Sequence, residues 1–287
     1  MNYIVFAWIS SVSYTLLAIF SKLASNKATN NPWLLNFIWT FGSFLLLIPL
    51  FIINGGSWPS EWLYLILAGV SNAVWFILYA FSLYRLDVTV ISPMYSFQTL
   101  FVVILSFLFL NETLNAFQIF LFIITILAGI IVNLDEKFKL KSFFSSSVGI
   151  LIVGMFFLAL SRIFTNLTLK SNGIWETTLG IVFITTIVLL PTITKFKKDL
   201  GKLNIANSSS LLLMSLTYVV GTVTAYQAFK DNVSISSIII SLPLTIFFVL
   251  VISRFKPKLL EEHSAKVYAV RFIGTVVMVA AALLISG

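Results

Sequence analysis

Runs of about 20 apolar residues recur along the whole chain, each long enough to cross a hydrocarbon layer about 30 Å thick. Nothing else in the sequence limits its folding as much. A backbone surrounded by lipid must satisfy its own N–H and C=O groups, so each run has to be a helix or part of a closed barrel. A barrel would show alternating segments of about ten residues, and these runs do not alternate. The chain is therefore expected to be an all-α integral membrane protein. Ten spans fit, at roughly 3–21, 33–53, 61–81, 88–110, 116–134, 147–169, 175–194, 208–229, 232–253 and 267–286. Composition agrees: 59% of the 287 residues are hydrophobic and 10% are charged, against about 25% charged in soluble domains.

Breakers separate several spans: "NNPW" at 30–33, "NGGSWPS" at 54–60 and "SNG" at 171–173. The longest polar pieces, "DEKFKLKS" at 135–142 and "KFKKDLGKLN" at 195–204, are too short for an extramembrane domain. The first apolar segment lacks a basic leader region and a clear cleavage site, and is expected to be retained as a span. No cysteine is present, which excludes disulfides and thiolate metal sites.

The net charge of +8 does not point to nucleic acid, because the lysines cluster between apolar runs. There they set orientation: cytoplasmic loops are enriched in Lys and Arg. The connections after the odd-numbered spans hold fourteen of these residues, and the opposite side holds only Lys170 and Lys230. That bias puts both termini outside, in a multi-pass cell (inner) membrane protein.

The chain also resembles itself. Shifted by 145 residues, "YRLDVTVIS" (84–92) falls on "FKDNVSISS" (229–237), with Thr89 on Ser234, Ser92 on Ser237, Ser96 on Ser241 and Gly129 on Gly274. The expected organisation is two five-helix repeats, 1–142 and 143–287. Five is odd, so the second repeat must be inverted in the membrane. Inverted repeats place a substrate site near the midplane between them.

Polar residues at helical spacing mark faces turned from lipid. One stripe holds Ser92, Tyr95, Ser96, Thr99 and Ser106, and a second holds Ser234, Ser237, Ser241 and Thr245. Asn72, Trp75 and Tyr79 share a face, as do Ser215, Tyr218, Thr222 and Tyr226, and Asn36, Trp39 and Ser43. Two explanations stand for the small members: close helix packing, or the wall of a polar cavity. Gly221 with Ala225 suits packing. The bulky members, Trp75, Tyr79, Tyr95, Tyr218 and Tyr226, obstruct close packing and suit a site walled by rings with polar tips.

Arg162 is the outlier. It stands inside "MFFLALSRIFTNLTL" (155–169), about 6 Å along the axis from mid-span. Isolated in hydrocarbon it costs from ~2.5 to above 10 kcal/mol, so it must pair or face water. It is expected to face an aqueous cavity, with Asn166 on the same face at i+4. Glu176, at the start of the seventh span, is the one acidic residue at a comparable apolar position. It is either an interfacial residue favoured at a helix N-terminus or a partner of Arg162 and a candidate proton carrier. Arg271, a few residues into the tenth span, is expected to snorkel to the interface, and His263 to be a solvated loop residue. No nucleophile elbow, zinc-binding helix motif, phosphate loop or acid-rich metal cluster occurs, so neither catalysis nor a metal or other cofactor is expected.

The end of the first repeat, "YAFSLYRLDVTVISPMYSFQTLFVVILSFLFLNETLNAFQIFLFIITILAGIIV" (79–132), resembles the drug/metabolite transporter superfamily, in its EamA-like ten-helix members. Leu110, Glu112 and Gly129 occupy the family's places in a polar turn, an apolar span, Leu-x-Glu and a last helix with a glycine. In the second repeat Gly274 fits, but Pro257 stands where the counterpart of Glu112 would be. The resemblance implies a secondary transporter of small organic solutes, such as amino acids or related metabolites, working by alternating access. It implies a cavity lined by helices 3, 4, 8 and 9. It also implies cytoplasmic termini, from which the charge count departs.

The expected substrate-binding set is Arg162, Asn166, Asn72, Trp75, Tyr79, Tyr95, Ser96, Tyr218, Thr222, Tyr226 and Ser241. The partners are a small-molecule substrate and the lipid bilayer, with no nucleic acid, and a monomer is compatible with the sequence. The alternatives are a flippase for lipid or lipid-linked substrates and a non-transporting membrane scaffold.

Overall fold

A computed structural model of the chain describes residues 2–86, 88–132, 146–202, 209–255 and 265–286. Within these residues the protein is helical, without strands. Helices α1 (Tyr3–Lys27), α2 (Pro32–Ile53), α3 (Leu63–Leu83), α4 (Val88–Leu110) and α5 (Ala116–Val132) make up the first half. The second contains α6 (Ser146–Leu169), α7 (Ile174–Leu189), α8 (Ser209–Phe229), α9 (Val233–Ile240), α10 (Thr245–Phe255) and α11 (Ala265–Ser286). Short 3₁₀ turns at Leu190–Lys195 and Leu200–Lys202 follow α7.

The helices begin where polar side chains can take up the orphan N–H groups of a first turn. Asn31 precedes Pro32 and accepts from the Trp33 and Leu34 amides at 3.0 and 3.4 Å. At the start of α5, Asn115 and Gln118 cap each other: the Asn115 amide donates to Gln118 Oε1 at 3.0 Å and the Gln118 amide to Asn115 Oδ1 at 2.9 Å. The N-terminus of α9 has two caps. Asn232 Oδ1 accepts from the Ile235 amide at 2.7 Å, and the Glu112 carboxylate accepts from the Val233 and Ser234 amides at 2.8 and 2.9 Å. Ser234 Oγ adds a third bond to Glu112 at 2.7 Å. Glu112 lies between α4 and α5, so this cap ties the end of one half to a helix of the other.

The ninth span is not one helix. α9 stops at Ile240 and α10 starts at Thr245. Pro243 has no N–H for a helical bond, and its ring disfavours helical geometry at the residue before it. Side chains of α4 bond at the break. Thr99 of α4 donates to Ser241 Oγ at 2.7 Å, and Ser241 in turn reaches Gln98 Oε1 at 3.2 Å and the Ser237 carbonyl. Pro93 in α4 breaks nothing, and that helix continues to Leu110.

Helix neighbours follow a rule. α1 packs on α8 and α3 on α6; α4 packs on α6 and α1 on α9; α3 packs on α7 and α2 on α8. α2 meets α7, α4 meets α9, and α5 meets α11. Treating α9 and α10 as one span, exchanging each helix for the one five places on returns the same neighbours. Small residues set the closest approaches. A Cβ on Gly221 would meet the Tyr14 ring at 3.0 Å, which places the Gly221 and Ala225 face against α1 as packing. The outward surface is apolar, with Leu108, Phe120, Ile123, Leu127 and Ile273 exposed as a lipid-facing side chain would be. Arg271 does not snorkel. It is buried, and its guanidinium donates to Thr89 Oγ1 near the start of α4. The polar segment 135–142, His263 and Pro257 lie outside the described residues.

Candidate functional site

Each half turns its polar stripes inward, and they meet around one cavity. Its walls come from α1, α2, α3, α4, α6 and α8 and from the break between α9 and α10. The space open to water inside is about 80 Å³. A single water needs ~10–15 Å³ by the same measure, so the cavity accommodates a few waters or a solute of a few heavy atoms.

Arg162 lies on its wall, only 6% exposed. The guanidinium sits over the Phe229 ring, 5.5 Å from the centroid. Nη1 is fully enclosed and has no hydrogen-bond partner among the described residues. The phenols of Tyr14, Tyr95 and Tyr226 share the same wall. Facing a cavity rather than lipid or a carboxylate is the arrangement the cost of an intramembrane charge predicts.

Aromatic rings build much of the remaining wall. Trp39 packs edge-on to Tyr218 and Tyr79, with centroids 5.5 and 5.9 Å apart. Trp75 contacts Tyr79 at 5.1 Å and Tyr95 at 5.8 Å. These are ordinary tilted and edge-on pairings, and they hold the rings rigid. Asn72 Nδ2 donates to Thr185 Oγ1 at 3.2 Å and to Tyr218 Oη at 3.4 Å. The phenol of Tyr79 is 3.2 Å from Ser21 Oγ. Two further buried polar atoms on the lining residues, Trp39 Nε1 and Ser11 Oγ, have no protein partner among the described residues.

Of the residues expected from sequence, Arg162, Asn72, Trp75, Tyr79, Tyr95, Tyr218, Tyr226 and Ser241 line the cavity together. Asn166, Ser96, Thr222 and Glu176 do not. Asn166 Nδ2 donates to the Phe229 carbonyl at 2.6 Å, capping the end of α8. Ser96 donates to the Pro93 carbonyl at 2.8 Å and packs so tightly on α5 that a Cβ on Gly129 would clash with its Oγ. Thr222 stands behind Tyr14, 3.2 Å from its hydroxyl. Glu176 accepts from the Ser57 amide and hydroxyl at 2.9 and 3.1 Å, which fixes it to the α2–α3 connection and not to Arg162.

The sequence reading missed the contribution of α1, where Ser11, Tyr14 and Thr15 line the cavity, and it placed Trp39 of α2 on a polar face but not in the binding set. A signal existed: Ser11, Tyr14, Thr15 and Ala18 recur at steps of three and four in the first span. Gln98 was also missed. It is fully buried beside the break, with its Nε2 unpartnered among the described residues.

Fold and cavity together define a multi-pass helical membrane protein whose polar groups converge on a pocket closed among its helices. Residues 1–134 match the model of the EamA-like transporter family, the family that the motif around Leu110, Glu112 and Gly129 resembles. A solved structure, described only as the crystal structure of a protein, covers 96% of this chain and 96% of its own with a TM-score of 0.71 at 13% identity. That likeness extends the shared fold over both halves and carries no function. No curated protein matches the chain.

Proposed function

We propose that the protein is a carrier that moves a small organic solute, an amino acid or a related metabolite, across the membrane by alternating access. The cavity is its substrate site. The observation that carries this is the convergence of a buried guanidinium and a cage of aromatic rings on one small polar space. Polar atoms without partners occur on and off the cavity wall among the described residues, but a charged one, Arg162 Nη1, is on the wall, where a buried charge needs water or a counter-ion.

The exchange of helix neighbours supports two repeats, 1–142 and 143–287, inverted with respect to each other. Helices from both repeats wall the cavity, so a tilt of one against the other opens it to either side. The charge bias supports an orientation with both termini outside a cell (inner) membrane. Each candidate site residue on the cavity wall has a role here. Arg162 presents donors, Asn72 fixes the Tyr218 phenol, the rings of Trp75, Tyr79, Tyr95, Tyr218 and Tyr226 hold apolar groups, and Ser241 sits at the hinge of the broken span.

Flux measurements in proteoliposomes test the proposal, using a panel of labelled anions, zwitterions, neutral solutes and cations. At least one solute is expected to move faster than in protein-free vesicles, and Tyr218→Ala to slow it. If no solute in the panel moves and none raises the melting temperature of the purified protein, the carrier reading falls.

A further inference from the structure

We propose that the substrate is a small organic monoanion, a monocarboxylate, that its charge is the counter-ion of Arg162, and that the protein is therefore an anion exchanger rather than a net importer or exporter. This rests on the carrier reading above. Three observations carry it. First, Arg162 is more than nine-tenths buried, lines the cavity, and has an enclosed Nη1 without a partner among the described residues. Second, no carboxylate is among the described residues that line the cavity. Glu112 and Glu176 are held at helix ends by the α9 amides and by Ser57, and Glu61 by the Leu63 and Tyr64 amides at the start of α3. The described residues thus supply a cation to the cavity and no anion to match it. Third, the broken span presents its second piece to the same space. Ser241 and Thr245 line the cavity, and Thr245 opens the 11-residue helix α10. The N-terminal end of a helix carries partial positive charge, and broken membrane helices aim such ends at anionic groups.

Exchange follows from charge balance. Alternating access requires the cavity to close to both sides at some point in the cycle. A closed cavity holding only the guanidinium has a buried charge with neither bulk water nor a counter-ion, which is strongly disfavoured. A monoanion brings the closed state to neutrality. A zwitterion leaves its charge at plus one, and a cation doubles it. The carrier therefore crosses readily with an anion on board and slowly without one. Its return trip needs a second anion from the other side. The small volume limits the anion to a few heavy atoms, and the apolar rings accommodate its carbon skeleton.

The test uses the full chain in proteoliposomes, with [¹⁴C]pyruvate, [¹⁴C]alanine and [¹⁴C]ethylamine as monoanion, zwitterion and cation. Vesicles are loaded either with unlabelled pyruvate or with an impermeant neutral sugar. Pyruvate-loaded vesicles are expected to take up labelled pyruvate about tenfold or more faster than sugar-loaded ones, since unloaded return is the disfavoured step. Arg162→Gln is expected to lower pyruvate exchange about 10- to 100-fold, the loss of a charge-assisted bond, and Arg162→Lys less. A melting curve on each variant verifies folding. Should Arg162→Gln not fold, Arg162→Lys and the loading comparison on the unaltered chain still decide. Equal uptake into both kinds of vesicle overturns exchange and leaves the carrier reading intact. Faster movement of alanine or ethylamine than pyruvate overturns the anion assignment and again leaves a carrier. Immobility of pyruvate and every other monoanion overturns the inference, and the carrier reading falls with it only if the whole solute panel is also inert.

Discussion

Arg162 and Glu112 show what single residues reveal in a membrane sequence and what they hide. The position of Arg162 was legible because a charge among apolar residues has few tolerable surroundings, and a cavity is one of them. Asn166 was not. Helical spacing puts it on the same face as Arg162, but spacing says nothing of what stands opposite, and opposite it is the Phe229 carbonyl at 2.6 Å. Glu112 was legible as a family motif and silent about its task, because its partners, the Val233 and Ser234 amides, are about 120 residues away in sequence. Its three bonds to the start of α9 make a direct prediction. Glu112→Ala is expected to destabilise the protein by ~1–3 kcal/mol, the range for losing an N-cap and a charge-assisted bond. Glu112→Gln keeps an acceptor and is expected to lose less than half of that. Unfolding by denaturant in mixed micelles measures both. Equal losses for Ala and Gln would mean that a neutral acceptor replaces none of the carboxylate's bonds, and no loss in Glu112→Ala would mean that those bonds contribute nothing to stability.

Among the elements, the ninth span departs from the expected pattern. A continuous helix over 232–253 was the expectation, and the structure has α9, a four-residue break and α10. Proline alone did not reveal this, because Pro93 lies inside α4 without interrupting it. Pro93 is close to the start of its helix, where few carbonyls precede it and little bonding is lost. Pro243 is in mid-span, and Thr99 and Gln98 on α4 hold the Ser241 hydroxyl beside the break. The decisive groups are on another helix, beyond any local pattern. Pro243→Ala restores the missing N–H and removes the ring clash, so the two pieces are expected to approach one continuous helix. The variant is expected to melt no lower than the unaltered chain, since a helix gains by losing proline. It is expected to transport about tenfold more slowly or worse, because the end of α10 is drawn off the cavity. Unimpaired flux in Pro243→Ala would show that the break has no part in transport.

At the scale of the whole molecule, the order and number of the spans were legible from hydropathy, and their neighbours were not. Nothing in an apolar run says that α1 lies against α8 and α3 against α6; only the repeat hints at it, by pairing residues across 145 positions. The same argument extends to sidedness. Fourteen Lys and Arg residues lie at the side that follows the odd-numbered spans and two at the other, and the proposed orientation rests on that bias. The bias reaches the described loops on both faces: Lys195, Lys197 and Lys198 follow α7, while Ser57 and Trp58 occupy the lysine-free connection between α2 and α3. The chain has no cysteine, so a single introduced thiol reports its side without background. Trp58 is 85% exposed and Lys198 is exposed as well, so both sites are open to reagent. In intact cells, a membrane-impermeant maleimide is expected to label Trp58→Cys and to label Lys198→Cys only after the membrane is permeabilised. The opposite pattern would put both termini in the cytoplasm, as the family resemblance alone implies. Labelling of both positions in intact cells would mean that the chain inserts in either direction, and that fourteen charges against two do not set its topology.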